Sequence, residues 1–520
     1  EILVTGQVAN ALGSTMALQP LGARSIKGKS APVPVFALLE RSAQPATALM
    51  ELYGEPLHGR EVELAPMLHA LAQWAARCHA IPDSDHRTPA GPLLIIEGTA
   101  GIGKSHMAAS LVQRTVALGV NHVHAACQST ARAIPFFAIR QVMRAILQLP
   151  PEPTEAHVLD AVARLAPAAR ARAPLLAPLV DSAMAASPLT SHLEARTRQG
   201  ARTALVLELI AAAADAQPFL LTLEDAHWID EASREIFVQL LNAPPPPLAL
   251  VIVQRTSEAG DEPLQSGDMP PGAVSVNLGE LSGAATTALV THRLGGPVDP
   301  LAVDVIHAQA HGNPFFVEEL VTALVDVGRL MATPHGWQLA DQTLAALRAA
   351  HCVSDDADAP RLLANAPLDV IDLGVPTSVQ GVVLARLDRL PETARLSLKV
   401  ASVIGRTFAL DLLEAVRPLQ SRRIEVRSAV EQALARDFVR VDVTTASHSE
   451  SRAPVYLFKH NIMRDVAYNT LLGEQQRELH LEVAEALEAL RPSDIEELAH
   501  HYYHSDTRSA AVRERALDYL

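Results

Sequence analysis

A chain of 520 residues, 49% of them hydrophobic, is long enough for several domains with their own cores and excludes long disorder. Its formal net charge of −15 argues against a general binder of nucleic-acid polyanions, so no direct nucleic-acid partner is expected. The three cysteines, Cys78, Cys127 and Cys352, are odd in number and far apart; they make neither a disulfide framework nor a metal pattern, which suits a reducing cytoplasm.

The chain opens on Glu1 and not on Met, so a piece of a longer protein is expected. Within residues 1–42, Glu1 to Val4 reads as a strand, Gly6 to Leu12 as a short helix, and Val33 to Leu39 as a closing strand. Turn signals at Leu21-Gly22 and Lys27-Gly28-Lys29 make a turn-rich ribbon between them. This is an α+β fragment too small to bury a core. Ile2 to Ala23 is uncharged but polar-interrupted, and Leu205 to Leu223 is broken by Glu208 and Asp215, so no membrane span is expected. Residues 43–56 read as a linker.

Residues 57–279 carry the chemistry. A helix from Glu61 to His79 and a polar loop precede Leu93 to Ile96, an apolar run read as a buried parallel strand. Gly98-Thr99-Ala100-Gly101-Ile102-Gly103-Lys104-Ser105 then completes a G-x4-G-K-[ST] phosphate loop, which points to a nucleoside triphosphate. Gly98, Gly101 and Gly103 let backbone N–H groups turn around an anion, and the helix from Lys104 to about Leu118 adds its positive end. Lys104 can neutralise the β- and γ-phosphates, and Ser105 can ligate magnesium. A second strand is expected at His122 to Cys127, with helices at 135–149, in much of 155–186, and at 192–215.

The strand Pro218 to Leu223 runs into Glu224-Asp225. Carboxylates at the C-terminal end of a core strand stand where a nucleotide site in an α/β sheet needs them. Glu224 would hold the magnesium shell through water, and Asp225 would polarise the attacking water. The structural alternative is an acidic helix N-cap, Asp225 or Asp230, before the helix Glu231 to Leu241. Arg255 closes the strand Leu248 to Gln254 as a sensor of the γ-phosphate or as half of a surface ion pair, two readings of equal weight. Ala273 to Leu278 supplies a fifth strand. The expected fold class is an α/β P-loop NTPase with a parallel five-stranded sheet.

Beyond the core, residues 280–330 are helical at 3.6 spacing and 331–374 irregular. Helices at 375–389, 393–403, 410–416 and 425–436, with strands at Phe438 to Val443 and Val455 to Phe458, make a winged helix of residues 375–472. From 473 to 520 the chain is helical again. His500, His501 and His504 read there as surface and groove histidines and not as a metal cluster.

GTAGIGKS, LLTLEDAHWID, VIVQR and HGNPFFVEEL, in this order, resemble the signal-transducing multidomain NTPases. These are AAA-related switch ATPases found in large transcription activators and behind class III cyclases. The resemblance runs from about Leu57 to the end and implies ATP with magnesium. The family's acidic pair is often Asp-Asp; Glu224-Asp225 departs from it. The resemblance makes residues 280–374 a helical lid with an insertion, and places Pro314, in Gly312-Asn313-Pro314, on the nucleotide base and Arg60, in His58-Gly59-Arg60-Glu61, beside adenine. It also implies a winged helix that relays the nucleotide state without reading DNA, and tetratricopeptide-like repeats at 473–520 that hold protein partners. A nucleotide-dependent oligomer is a further expectation. Phe458 to Tyr468 matches the family's F.H..IRDVAY segment, with His460 in a packing role.

Residues 1–42, EILVTGQVANAL to VFALLE, resemble the C-terminal edge of class III nucleotide cyclase domains. There Lys27 or Lys29 would reach substrate phosphate; the plain alternative is a solvated turn lysine. Residues 1–40 contain no aspartate to hold metals, so this chain as given is expected to make no cyclic nucleotide. The leading reading is an ATP-binding, slowly hydrolysing signalling switch in the cytoplasm that regulates a neighbouring cyclase domain. The alternatives are a parent protein that is itself an adenylate cyclase regulated by this ATPase, and an ATP-dependent transcription activator.

Overall fold

The computed structural model describes residues 2–5, 16–24, 33–41 and 53, and residues 56–519 apart from 80–89, 133, 151–152, 181, 257–263, 265–271, 351, 354–361, 363–374, 417–418, 420–422, 443–452, 493 and 507–509. The helix expected at Gly6 to Leu12 and the turn lysines Lys27 and Lys29 lie outside the described residues. Strands β1 (Ile2–Thr5), β2 (Met16–Arg24) and β3 (Val33–Arg41) form an antiparallel sheet in the order β1-β3-β2. The sequence shows β2 only as turn-rich. Its pairing shifts register at Ala17/Leu18 and again at Pro20/Ala23. Pro20 has no N–H to give, and an edge strand is where a sheet tolerates that loss.

The core sheet is parallel and doubly covered. It contains β4 (Leu93–Gly98), β5 (Asn121–Ala126), β6 (Phe219–Glu224), β7 (Leu248–Val253) and β8 (Val274–Leu278), in the order β5-β6-β7-β4-β8. The central strands β4, β6 and β7 read as near-continuous apolar runs because both faces are buried, whereas the edge strands β5 and β8 do not. Side chains alternate between two cores as the two-residue period requires. Leu93, Ile95, Leu221, Leu223, Leu250 and Ile252 face one cluster, while Leu94, Ile96, Leu220, Val251 and Val253 face the other. Helices α1 (Glu61–His79) and α2 (Lys104–Ala117) cover the second cluster. The first lies under α3 (Phe137–Leu147), α4 (Glu155–Leu165), α5 (Ala195–Ala216) and α6 (Glu231–Asn242), with a 3-10 stretch at Pro167–Leu176.

Asp230 organises that side. It is 2% exposed and caps α6 by accepting from Ser233 N at 2.8 Å. It also accepts from Phe136 N and Ala138 N at 2.7 and 3.3 Å, the start of α3. One carboxylate therefore satisfies orphan N–H groups of two helices. The N-cap reading holds for Asp230, whereas Asp225 makes no side-chain cap bond.

Residues 280–330, the expected lid, contain α7 (Gly283–Leu294), α8 (Pro300–Ala310) and α9 (Pro314–Asp326). Residues 331–374, expected to be irregular, begin differently. Strands β9 (Leu330–Thr333) and β10 (Gly336–Leu339) pair as a hairpin, followed by helix α10 (Asp341–Ala349). The C-terminal unit starts with α11 (Val379–Asp388) and α12 (Glu392–Ile404), then β11 (Thr407–Ala409), α13 (Leu410–Ala415) and α14 (Arg423–Ala435). Strands β12 (Val439–Val441) and β13 (Val455–Phe458) complete a three-stranded antiparallel sheet, β11-β13-β12. Helices α15 (Asn461–Asn469), α16 (Gly473–Leu490), α17 (Ile495–His504) and α18 (Ala510–Tyr519) follow.

Lid and C-terminal unit are clamped by charge. Buried Glu319 of α9 pairs with buried Arg386 of α11, whose guanidinium also donates to the Arg436 carbonyl at 2.6 Å. Asp437 pairs with Lys459 at 3.1 Å and with Arg293 at 2.9 Å. Burial works against the Asp437 carboxylate, but Lys459 and Arg293 outweigh it and hold its pKa at about 2. No helix among the described residues is long and apolar enough to cross a membrane.

Candidate active site

The phosphate loop joins β4 to α2. Gly101 and Gly103 take φ of 77° and 99°, backbone that favours glycine. A Cβ on Gly101 would stand 3.0 Å from the Phe315 Cβ and 3.1 Å from Asn313 Oδ1, so the loop packs directly on the lid. Asn313 donates to the Ala100 carbonyl at 3.0 Å while its Oδ1 caps α9. Pro314 follows at the first position of α9 and lines the cavity beside the loop.

Lys104 is 8% exposed, and its Nζ donates to the carbonyls of Gly98 and Thr99 at 2.9 and 2.7 Å. Burial, with Arg255 adding to it, lowers its pKa to about 8 against the pull of Asp225 and Glu224. A lysine with a lowered pKa loses its charge as pH rises through that value, so the phosphate-neutralising charge is present at neutral pH.

Glu224 ends β6, 1% exposed. Nε2 of His124, on β5, lies 3.7 Å from its Oε2, an ion-pair distance and not a hydrogen bond. Burial opposes its charge, but His124, Arg406 and Ser105 outweigh burial and leave its pKa below the ordinary carboxylate value. Asp225 sits in the left-handed region at φ 50°, a conformation that non-glycine residues hold only when their surroundings fix it. Asn461 Nδ2 donates to Asp225 Oδ2 at 2.7 Å, and Arg406 stands 3.9 Å from the same oxygen. Burial, reinforced by Glu224, raises the Asp225 pKa against Arg406 and Lys104. The two adjacent carboxyls are thus driven in opposite directions, the pattern that separates a charged holder from a base.

Lys104, Arg255, Arg406, Arg440 and Lys459 line one cavity together with Asp225 and Glu318. Of these five cations Lys104 and Arg255 belong to the core and suit a polyanion, while Arg406, Arg440 and Lys459 come from the C-terminal unit. The cavity measures about 130 Å³, below the roughly 300–1,000 Å³ of sites that hold a drug-sized ligand. Arg406, Arg440, Lys459, His460, Asn461 and Ile462 of the C-terminal unit line it. His460 packs on Phe315 at 4.5 Å between ring centroids and on Tyr53 at 6.5 Å. Burial and the neighbouring cations push the His460 pKa well below its usual value, so the ring is neutral. Tyr53 interacts with Ser105 and Arg406, and burial raises its pKa to about 12. A larger cavity of about 570 Å³, between α5 and α6 at Asp215, Asn242 and Pro244, contains no phosphate-loop residue.

Of the residues singled out from sequence, Gly101, Gly103, Lys104, Ser105, Asp225, Arg255 and Pro314 share this cavity. Gly98 turns the loop at its start, and Glu224 lies behind Asp225, interacting with Ser105. Arg60 does not line the cavity. Its guanidinium donates to the Ile102 and Gly279 carbonyls at 3.2 and 2.6 Å and braces the loop from behind. Sequence reasoning missed Tyr53, placed in the linker, and Arg406, Lys459 and Asn461; it gave His460 only a packing role. The H-N pair beside the matched Arg464-Asp465 was the available signal.

The residues present fit magnesium with a triphosphate. Glu224 Oε1 is buried without a hydrogen-bond partner, an acceptor that a hydrated cation would satisfy, and the glycine cradle faces Ser105 and Lys104.

Residues 56–253 match the family model of the AAA ATPase domain. An AAA-type P-loop ATPase domain therefore forms this core. An uncharacterized protein of Rhizobium meliloti (strain 1021), R02095, is 24% identical over 495 residues, 92% of this chain. The chain spans 42% of that protein's length. Similar solved structures include the Aeropyrum pernix Orc1 protein in complex with DNA, at 14% identity and TM-score 0.35, covering 81% of this chain and 95% of that one. Cdc6p from Pyrobaculum aerophilum matches at 12% identity and TM-score 0.30, over 81% and 99%. A point mutant of Thermotoga maritima RuvB matches at 12% and 0.30, over 79% and 96%.

Proposed function

We propose that the AAA-type ATPase core at residues 56–253 is an ATP-driven signalling switch whose nucleotide site is closed at rest by the winged-helix-like unit at 375–472. The observation that carries this reading is the bond from Asn461 to Asp225, which joins the C-terminal unit to the acidic pair across 236 positions. The cavity of about 130 Å³ supports it, since a triphosphate enters only if Asn461, His460 and Lys459 move away.

Lys104 then takes the β- and γ-phosphates, Arg255 senses the γ-phosphate, and Pro314 lies on the base side. Ser105 would hold magnesium directly and Glu224 through water. Magnesium, when bound, spreads the negative charge of the triphosphate. Asp225 is freed from Asn461 as the unit opens. It accepts a proton from water as the water oxygen bonds to the γ-phosphorus. The bond from that phosphorus to the β–γ bridging oxygen breaks, and ADP and phosphate leave, the proton on Asp225 passing to the departing phosphate or to solvent. Slow turnover resets the closed state.

The likeness of residues 1–42 to the edge of class III cyclase domains supports a reading in which this switch lies behind a cyclase domain in a longer cytoplasmic protein and governs cyclic AMP or cyclic GMP synthesis. Helices α16 to α18 begin a repeat array for protein partners.

The closure has a direct test. Asn461→Ala removes one hydrogen bond to a charged group, worth about 1.5–3 kcal/mol, from the closed state. Apparent ATP affinity rises as the competent fraction rises, so about a tenfold gain is expected by calorimetry. Unchanged or weaker binding would mean that this contact is not a latch.

A further inference from the structure

Helices α16 and α17 form a hairpin whose facing surfaces carry four histidines. His480 comes from α16; His500, His501 and His504 come from α17. His480 and His501 are each 2% exposed, His500 is half-buried and His504 is exposed. One ring nitrogen from each of His480, His500 and His501 lies within 4.8 Å of the other two. The Nδ1 atoms of His480 and His501 are 2.9 Å apart. Two imidazole nitrogens bound tetrahedrally to one zinc, at about 2.0–2.1 Å each, stand about 3.3 Å from one another. The pair is within a few tenths of an ångström of that spacing.

Two further observations separate this cluster from ordinary packing. Nε2 of His480 lies 3.2 Å from the Tyr468 hydroxyl. With Tyr468 accepting, the Nδ1 lone pair of His480 faces the cluster, the arrangement by which a second group fixes the tautomer of a metal-bound histidine. Nε2 of His500 is buried and has no hydrogen-bond partner. Packing with one hydrogen bond accounts for His480 and His501, but not for a third ring with an orphaned nitrogen beside them. His504, its ring 4.4 Å from His500 and 5.3 Å from His480, is the candidate fourth ligand on the solvent side.

We propose that His480, His500 and His501, with His504, bind one divalent transition-metal ion, zinc being the best match, and that this ion staples α16 to α17. All-imidazole donors suit zinc, copper, nickel and iron and discriminate against magnesium and calcium. Burial, followed by the neighbouring rings, lowers the pKa of His480 and His500 to about 3 and holds that of His501 well below its ordinary value. Arg464 opposes a cation here, but its guanidinium is turned to the Ser402 carbonyl and to Asp465. The site would set the angle at which the repeat helices leave the C-terminal unit.

The test uses the full 520-residue chain, free of any polyhistidine tag and stripped with chelator. Calorimetric titration with zinc chloride is expected to give one ion per chain. Cobalt(II) is expected to give the visible absorption of a tetrahedral site. His500→Ala weakens zinc binding by about tenfold or more, while His335→Ala, at an exposed hairpin turn, leaves it unchanged. X-ray absorption on the zinc-loaded wild-type chain, which does not depend on any variant folding, is expected to count at least three imidazoles. No stoichiometric binding, binding that survives His500→Ala, or fewer than three imidazoles would overturn the site.

Discussion

Lys104→Ala is expected to lose ATP binding while the chain stays folded. The Nζ of Lys104 is held inside the loop by two carbonyls, at 2.9 and 2.7 Å, and no hydrophobic cluster depends on it. The loop keeps its shape by other means. The glycine dihedrals belong to the backbone, Arg60 holds the Ile102 carbonyl, and Asn313 holds that of Ala100. What the substitution removes is a charge against the triphosphate. Charge-assisted contacts contribute about 1.5–3 kcal/mol each, so losing those to two phosphates weakens binding by about 10²-fold or more. Calorimetric titration with ATP and magnesium measures this, with circular dichroism as the check on folding. Affinity like that of the wild-type chain would remove the phosphate-loop assignment.

Asp225→Asn is expected to keep ATP bound and to slow hydrolysis by roughly 10²-fold or more, the scale for losing an acid–base group. The amide still offers an oxygen to Asn461, so the closed state survives and the effect falls on chemistry. The opposite displacements of the two carboxyls support this division. Glu224, lowered, stays charged and suits a cation; Asp225, raised, suits proton transfer. Single-turnover phosphate release with bound nucleotide measured in parallel decides it. If hydrolysis persists while magnesium-dependent binding fails, Glu224 and Asp225 have exchanged roles.

The local features were legible in the sequence because their causes are local. A short apolar run such as Leu93 to Ile96, ending in a glycine-rich loop, reads as a strand buried on both faces, and the phosphate loop announces itself by glycine spacing. The acidic pair at the end of β6 follows from the same logic. Features made by distant residues were not legible. Nothing near Asp225 indicates that Asn461 will reach it, and nothing near Tyr53 indicates that a residue of the linker will interact with Ser105. Arg60 shows a related limit: the resemblance puts it beside adenine, whereas its guanidinium donates to the Ile102 and Gly279 carbonyls and does not line the cavity. The β9–β10 hairpin was hidden by its size, although Pro334-His335-Gly336 between two short alternating runs is a turn signal. The histidine cluster needed both helices, since His480 lies 21 positions from His501.

The central claim is that nucleotide and closure exclude each other. Spin labels at Val62→Cys on α1 and Leu472→Cys beyond α15, both exposed positions in the native chain, report the spacing of the core and the C-terminal unit. Pulsed electron resonance on the free chain is expected to give one distance. A magnesium-bound, non-hydrolysable ATP analogue at saturation is expected to replace it with another, and ADP after phosphate release to restore it. The same distance in both states, with the analogue shown to be bound one per chain, would contradict the account.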